Sequence, residues 1–439
     1  MINSFKKKLK MKVQYALSML VMGVSLTFLN SCNQTSKLSD SNVSEIYKRG
    51  KQVISPDFEV YHNSTSQTTI YFRVNTLQLL YARNQESNEL NAKFKIAYLL
   101  YKAYDSNELI DSTSTILEDV AENSEARYII GNFEIKTPIL ADYVLKIITT
   151  DLNKKNESIH ILNIQKSSLI SRQNFLVIDP ETQLPLFRNY LYKNEKVLVK
   201  YNQLKPSGKV IAKIYEREFP VAPPPFAQYT PAPFNYTPNN SLTIPINDSN
   251  TFSVSFDNKG FIHFQIDSES RLGLTLFHFS NDFPEVNSVP EMISALRFIT
   301  SKKEYENLNA ASNQKEALEE FWLKTSSNST RAKEMIRTFY NRVQNANFYF
   351  SSYKEGWKTD RGIVYMIFGP PSVVYKSSTT ESWVYGEENN YLSTSFNFTK
   401  VNNPFSDNDF SLTRNLTYKN PWYRAVDAWR QGRVATLDY

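Results

Sequence analysis

The stretch Gly356-Trp357-Lys358-Thr359-Asp360-Arg361-Gly362 runs directly into Ile363-Val364-Tyr365-Met366-Ile367-Phe368-Gly369-Pro370-Pro371. It is the densest local signal in the chain. Gly356 and Gly362 bracket a tight connection that needs backbone freedom. Trp357 offers a large apolar surface with one hydrogen-bond donor, suited to pinning that connection to a core. Asp360 can accept from turn amides, or pair with Arg361 or another cation. The apolar run from Ile363 to Phe368 reads as a strand, which Gly369-Pro370-Pro371 ends abruptly. The residues therefore predict a helix-to-strand corner braced on itself. A ligand or peptide site at the corner, or catalysis by Thr359 and Asp360, are the competing uses of the same side chains.

Working outward, Asn313 to Glu316 has the spacing of a capping box and opens a helix through Ala317, Leu318, Phe321 and Trp322. A longer helix is expected from about Arg331 to Phe350. Its apolar positions Ala332, Met335, Ile336, Phe339, Tyr340, Val343 and Ala346 fall at i, i+3, i+4 and i+7. Strands are expected at 373–375, 382–385 and 394–398. All five tryptophans lie in this part. It predicts an α+β domain over 289–439, helices first and a small sheet after them.

The heptapeptide and its surroundings resemble the GWxTD-domain family, named for residues 356–360. Phe321-Trp322-Leu323, Asn341-Arg342-Val343 and Glu381-Ser382-Trp383-Val384-Tyr385 also match the family pattern. The resemblance covers about residues 290–400 and implies a C-terminal domain of envelope proteins from Bacteroidetes-like and Acidobacteria-like bacteria. It implies no general biochemical activity.

The segment 57–166 alternates apolar and polar residues in short β-branched and aromatic runs separated by Asn and Ser clusters, as in an antiparallel sandwich of immunoglobulin-like form. The stretch 108–125 is open between a short helix and another strand. Residues 167–288 read as a second β-sandwich-like unit. There, 251–256 and 261–266 alternate around Asp257-Asn258-Lys259-Gly260, a hairpin-turn signal. Prolines from Pro220 to Pro238 make 219–245 an extended loop with Phe226, Tyr229, Phe234 and Tyr236 interleaved. That loop is either a stiff linker or a docking segment for a partner. In the C-terminal tail, Trp422, Tyr423, Arg424 and Trp429 are the residue types of interface hot spots. They bind a partner if exposed, or pack back on the domain.

The N-terminus has three parts of an export signal: five lysines, an apolar run from about Tyr15 to Leu29, and Leu29-Asn30-Ser31-Cys32. The last resembles a lipobox, whose cysteine would carry the lipid and become the first mature residue. A plain signal peptide or a membrane-spanning anchor is the alternative, but the run is short of the roughly 20 residues a span needs. Cys32 is the only cysteine, so no internal disulfide forms. Removing residues 1–31 takes away five lysines and no acid, and reduces the formal +6 to near +1. A basic face for nucleic acid is therefore not expected. Polar residues 32–56 read as a flexible tether. Asn33 stands where Asp would favour inner-membrane retention, so the outer membrane is expected, on its periplasmic face.

No catalytic site is expected. His62, His160, His263 and His278 are scattered without ligand spacing, and residues 279–439 hold neither His nor Cys. No Ser-His-Asp or Cys-His device, metal site or cofactor is expected in that part. The carboxylates Glu316, Glu319, Glu320, Asp360 and Glu381 read as solvated surface groups, though a glycosidase-like pair could be drawn from them. The sequence points to a lipid-anchored, non-catalytic subunit of an envelope assembly (outer-membrane protein assembly, secretion or gliding). A glycan- or peptidoglycan-acting enzyme, and a glycan- or peptide-binding module, are the alternatives.

Overall fold

A computed structural model describes residues 37–48, 53–83, 88–121, 126–138, 140–230, 232–326 and 328–434. Cys32 and the export-signal segment lie outside them. From Leu38 onward the chain packs as one unit.

Strands β1 (Asp57–Tyr61), β2 (Gln67–Asn75) and β6 (Tyr128–Lys136) form one antiparallel sheet. In a second sheet, β4 (Leu90–Tyr101) has β5 (Leu109–Val120) on one side. On the other it has β7 (Asp142–Asp151), followed by β8 (Asn156–Gln165), with the short β3 (Ala82–Arg83) beside its start. Of the open stretch 108–125, residues Leu109–Val120 are thus a strand. Along β4 every second side chain, Ala92 to Leu100, is buried against Ile70, Phe72 and Val74 of the first sheet. This is the period-two pattern of two sheets closing on one core.

The next part repeats the plan. One sheet holds β9 (Phe175–Ile178), β10 (Lys196–Tyr201) and β13 (Thr251–Ser255). The other holds β11 (Lys209–Tyr215), β12 (Asn240–Pro245), β14 (Gly260–Gln265) and β15 (Leu274–His278). The expected hairpin around Asp257–Gly260 does not form. β13 pairs with β10 and β14 with β11. The turn carries the chain between sheets, so the two alternating strands meet across the core, where the Phe252 and Phe264 rings lie 5.3 Å apart. Alternation reports a half-buried strand without naming its partner.

The C-terminal part begins with α1 (Val289–Ala295), α2 (Lys302–Ala310), α3 (Gln314–Ser326), α4 (Ser329–Phe350) and α5 (Asp360–Phe368). An antiparallel sheet follows: β16 (Val373–Lys376), β17 (Thr380–Tyr385), β18 (Thr394–Lys400) and β19 (Phe410–Leu412). Helix α6 (Lys419–Arg430) ends it. Asn328 caps α4 by accepting from the Arg331 amide at 2.8 Å. The helix buries Ala332, Met335, Phe339, Val343, Ala346 and Phe350.

Three expectations need correction here. The run 363–368 is helix α5, not a strand. Every residue from Asp360 to Ile367 is buried, so no polar face breaks the apolar run and periodicity cannot distinguish the two. The tether reading fails for residues 38–48: Leu38, Val43 and Tyr47 are buried in the C-terminal core, and the Val43 amide donates to the Val374 carbonyl at 2.9 Å. The proline-rich loop is docked. Its Ala222 amide donates to the Lys358 carbonyl at 2.8 Å, and Phe234 and Tyr236 pack in an aromatic cluster with Tyr215, Phe261 and Phe405.

Candidate functional site

The motif is built around the end of α4. A Cβ on Gly356 would stand 1.9 Å from the Ala346 carbonyl oxygen, and one on Gly362 would stand 1.9 Å from that of Gly356. Both positions therefore admit only hydrogen. Trp357 is buried, and its amide donates to Asn347 Oδ1 at 3.2 Å. Thr359 caps α5: its Oγ1 accepts from the Gly362 amide at 3.0 Å and donates to the Gly356 carbonyl at 2.7 Å. Asp360 accepts from the Leu412 amide at 2.8 Å and pairs with Arg414, which also donates to the Pro223 carbonyl at 3.2 Å. The pentapeptide thus ties α4, α5, β19 and the proline-rich loop together.

Arg361 is the centre of a second buried network. It donates to Glu381 Oε2 at 3.0 Å and to the Asn408 carbonyl at 2.9 Å, and lies 4.1 Å over the Phe410 ring. Glu381 also accepts from Trp383 Nε1 at 2.8 Å and from the Tyr47 hydroxyl. Burial alone would raise the Glu381 carboxyl, but Lys376 and Arg361 outweigh it and hold it below the usual range. Asp360 and Glu381 are thus not solvated surface groups. Glu316, Glu319 and Glu320 are exposed.

The sequence-picked aromatic residues divide. Trp422 and Trp429 are buried, which removes them as partner-binding anchors. Trp429 Nε1 donates to the Ile367 carbonyl at 3.1 Å, and Trp422 packs against Phe298 and Phe368. The amphipathic period of α6 leaves Tyr423 and Arg424 on the exposed side. Tyr229 is exposed, and Phe226 lies against Tyr423 at 5.4 Å.

A cavity of about 860 Å³ opens where the first β part, the second β part and the C-terminal part meet. No residue of the GWxTD pentapeptide lines it. Glu59, Arg172, Lys376, Lys400 and Asp407 do. Burial pushes the Glu59 carboxyl up to about 7, against the pull of Arg172. Burial would also raise Asp407, but Arg172 and Lys400 prevail and hold its carboxyl below the ordinary value. Sequence reading missed these residues because they come from 59, 172, 376, 400 and 407, and no local pattern links them. Among the described residues no group of three or more His, Cys, Asp or Glu is arranged to hold a metal. No helix among them is long and apolar enough to cross a membrane.

Residues 260–431 match the family model of the GWxTD domain. Over those residues the chain is similar to the GWxTD domain. The match starts at Gly260, on β14, so it takes in the last two strands of the second β part as well as the helices. No curated protein matches the chain. Solved structures with local similarity include a Bacteroides uniformis β-glucuronidase, 12% identical over 28% of this chain and 14% of that one, TM-score 0.17. Red sea bream transglutaminase is 11% identical over 53% of this chain and 32% of that one, TM-score 0.17. These overlaps span under a third of either protein's own length and are too weak to bear on fold or function. Within the matched region, the residues of the pentapeptide form the internal brace described above.

Proposed function

We propose that this protein is a lipoprotein of the bacterial outer membrane, anchored through a lipid on Cys32 and facing the periplasm, that serves as a non-catalytic structural or accessory subunit of an envelope complex. The observation that carries this reading is the inward aim of the GWxTD polar groups. Thr359, Asp360 and Arg361 are buried and bonded to their own chain. A signature spent on bracing maintains a shape, and a maintained shape suits an assembly part. Residues 38–48 are spent on the fold as well. The finer fold reading belongs to the same proposal: two antiparallel sheets closing on one core support an immunoglobulin-like form for each β part.

Detergent phase partition tests the anchor: the native protein enters the detergent phase and Cys32→Ser stays aqueous. Equal partition of the two removes the anchor. Gentle solubilisation followed by co-purification tests the subunit role. Recovery of monomer alone in several detergents would argue decisively against it.

One observation favours a second reading, an enzyme acting on glycan or peptidoglycan. Glu59 and Asp407 line the same cavity with carboxyls pushed in opposite directions, the pattern of an acid beside an ionised partner. Glycan or peptidoglycan turnover that disappears in both Glu59→Gln and Asp407→Asn would establish it. No turnover by the native chain would dismiss it.

A further inference from the structure

We infer that β5 is a pairing edge for a second copy of this chain, the two β5 strands lying antiparallel about a two-fold axis at Ile116. The inference goes beyond the proposed function and needs neither the membrane anchor nor another envelope protein.

β5 overhangs the first sandwich. Paired residues of β4 and β5 share a face of the sheet, yet Ile96 and Tyr98 are buried while Thr115 and Thr113 beside them are exposed. No residue of β5 is buried. Among the described residues β4 is its only strand partner, so its other edge is open. The Ala121 amide donates to the Leu90 carbonyl at 2.9 Å. In the antiparallel alternation Asp111, Thr113, Thr115, Leu117 and Asp119 then bond with β4. Ser112, Ser114, Ile116, Glu118 and Val120 turn their N–H and C=O groups to the open side. The extra residue of the bulge, Ile110, lies before this run and leaves it regular.

Open edges are usually guarded by lysine, proline or a covering segment. Residues 111–120 contain no lysine, proline or glycine. Their acids are already matched within the chain. Asp111 accepts from the Tyr98 hydroxyl at 2.8 Å, Glu118 pairs with Lys93 at 2.8 Å, and Asp119 pairs with Arg127 at 2.6 Å.

Water alone would satisfy an open edge, so the guest is named by the sequence of the strand itself. Outward groups must meet outward groups, which places the axis of a symmetric pair on a residue. With Ile116 facing its copy, Thr115 faces Leu117, Ser114 faces Glu118, Thr113 faces Asp119 and Ser112 faces Val120. Each of these carboxylates meets a hydroxyl that can donate to it, and Ile116, 57% exposed in the single chain, meets apolar surface. Neighbouring registers lack this match. An axis at Thr115 sets Asp111 against Asp119, one at Ser114 sets Asp111 against Leu117, and one at Leu117 sets Ile116 against Glu118. An axis at Thr113 draws the bulge into the pairing and sets Glu108 against Glu118.

The test uses residues 33–439, which omit Cys32 and so contain no cysteine. In sedimentation from about 2 to about 200 µM the unsubstituted chain doubles its mass as concentration rises. Ser114→Pro removes an outward amide while sparing the bonds to β4, and keeps the chain monomeric with Tm unchanged. If that variant lowers Tm, Ile116→Lys, which sets two like charges on the axis, takes its place and gives the monomer. Diamide links Ile116→Cys into a disulfide dimer, because a hydrogen-bonded pair on the axis stands about 5.5 Å apart. Ser112→Cys links at least ten-fold more slowly, since its copy lies roughly 27 Å along the partner strand. A monomer at every concentration, whatever else then pairs with β5, overturns the inference. So does a dimer that survives both Ser114→Pro and Ile116→Lys, or equal linking at positions 112 and 116. The chain tested carries no anchor, so failure of the pairing is read separately from failure of the proposed function.

Discussion

Gly356 shows what a single hydrogen atom decides. A methyl group there would meet the Ala346 carbonyl oxygen at 1.9 Å, and that carbonyl belongs to a long helix that cannot yield. Gly356→Ala is expected to cost about 3 kcal/mol or more, in the range of overpacked sites that also need backbone movement. Chemical denaturation measures it, and a loss under about 1 kcal/mol would show that the corner is loose. Glu381 is the electrostatic counterpart. It stands between Arg361 at 3.0 Å and Lys376 at 3.8 Å with almost no water access. Glu381→Gln keeps the shape and removes the charge, leaving Arg361 buried without its counter-ion. The expected loss is about 3–5 kcal/mol, as for other broken buried pairs. A near-neutral substitution would mean that solvent reaches the site.

At the scale of elements, the N-terminal arm and α5 are each held by parts distant in sequence. The Tyr47 ring lies 5.0 Å from Phe350 and 5.3 Å from Trp383, and its hydroxyl reaches Glu381. The arm therefore closes the core between α4 and the β16–β19 sheet. Tyr47→Ala is expected to lower stability by about 3–5 kcal/mol, the cost of emptying an aromatic site. Tyr47→Phe, which keeps the ring, should lose less. Thermal melting of the two variants checks the order, and equal melting would show that the arm is not bound as described. Helix α5 is stopped by Gly369 at φ +83°, with Arg342 filling the space where a side chain would lie. That arginine donates to the Met366 and Ile367 carbonyls at 3.3 Å, taking up acceptors that the helix end leaves open.

Across the whole molecule, buried titratable groups make stability depend on pH. Glu59 has a folded value of about 7, raised from 4.5. Between those values the folded chain holds a proton that the unfolded chain has released. Its contribution is therefore full below pH 4.5 and is lost as pH rises to 7. His263 works in the other direction. Burial lowers it from 6.5 to about 4, so its contribution is full above pH 6.5 and is lost as pH falls to 4. Glu59→Gln is expected to raise stability at pH 8 relative to the native chain and to leave little difference at pH 4. Denaturation at the two pH values measures this, and an equal effect at both would show that Glu59 does not titrate with folding.

The sequence by itself determined what depends on neighbours in the chain. A β-branched and aromatic run marked β4, a 3.6-residue stripe marked α4, and the heptapeptide at 356 marked a tight connection similar to that of the GWxTD family. Tertiary structure decided the rest. The all-apolar run 363–368 became a helix because it is surrounded on every side, which leaves no polar face to reveal its period. β13 and β14 parted into different sheets because alternation specifies a buried face and says nothing of the partner strand. Trp422 and Trp429 turned inward because α6 offers that face to α5. The charges of Glu59, Arg172, Lys400 and Asp407 converge only where three parts of the chain meet. Proximity across hundreds of residues is created by packing, and no spacing along the chain records it.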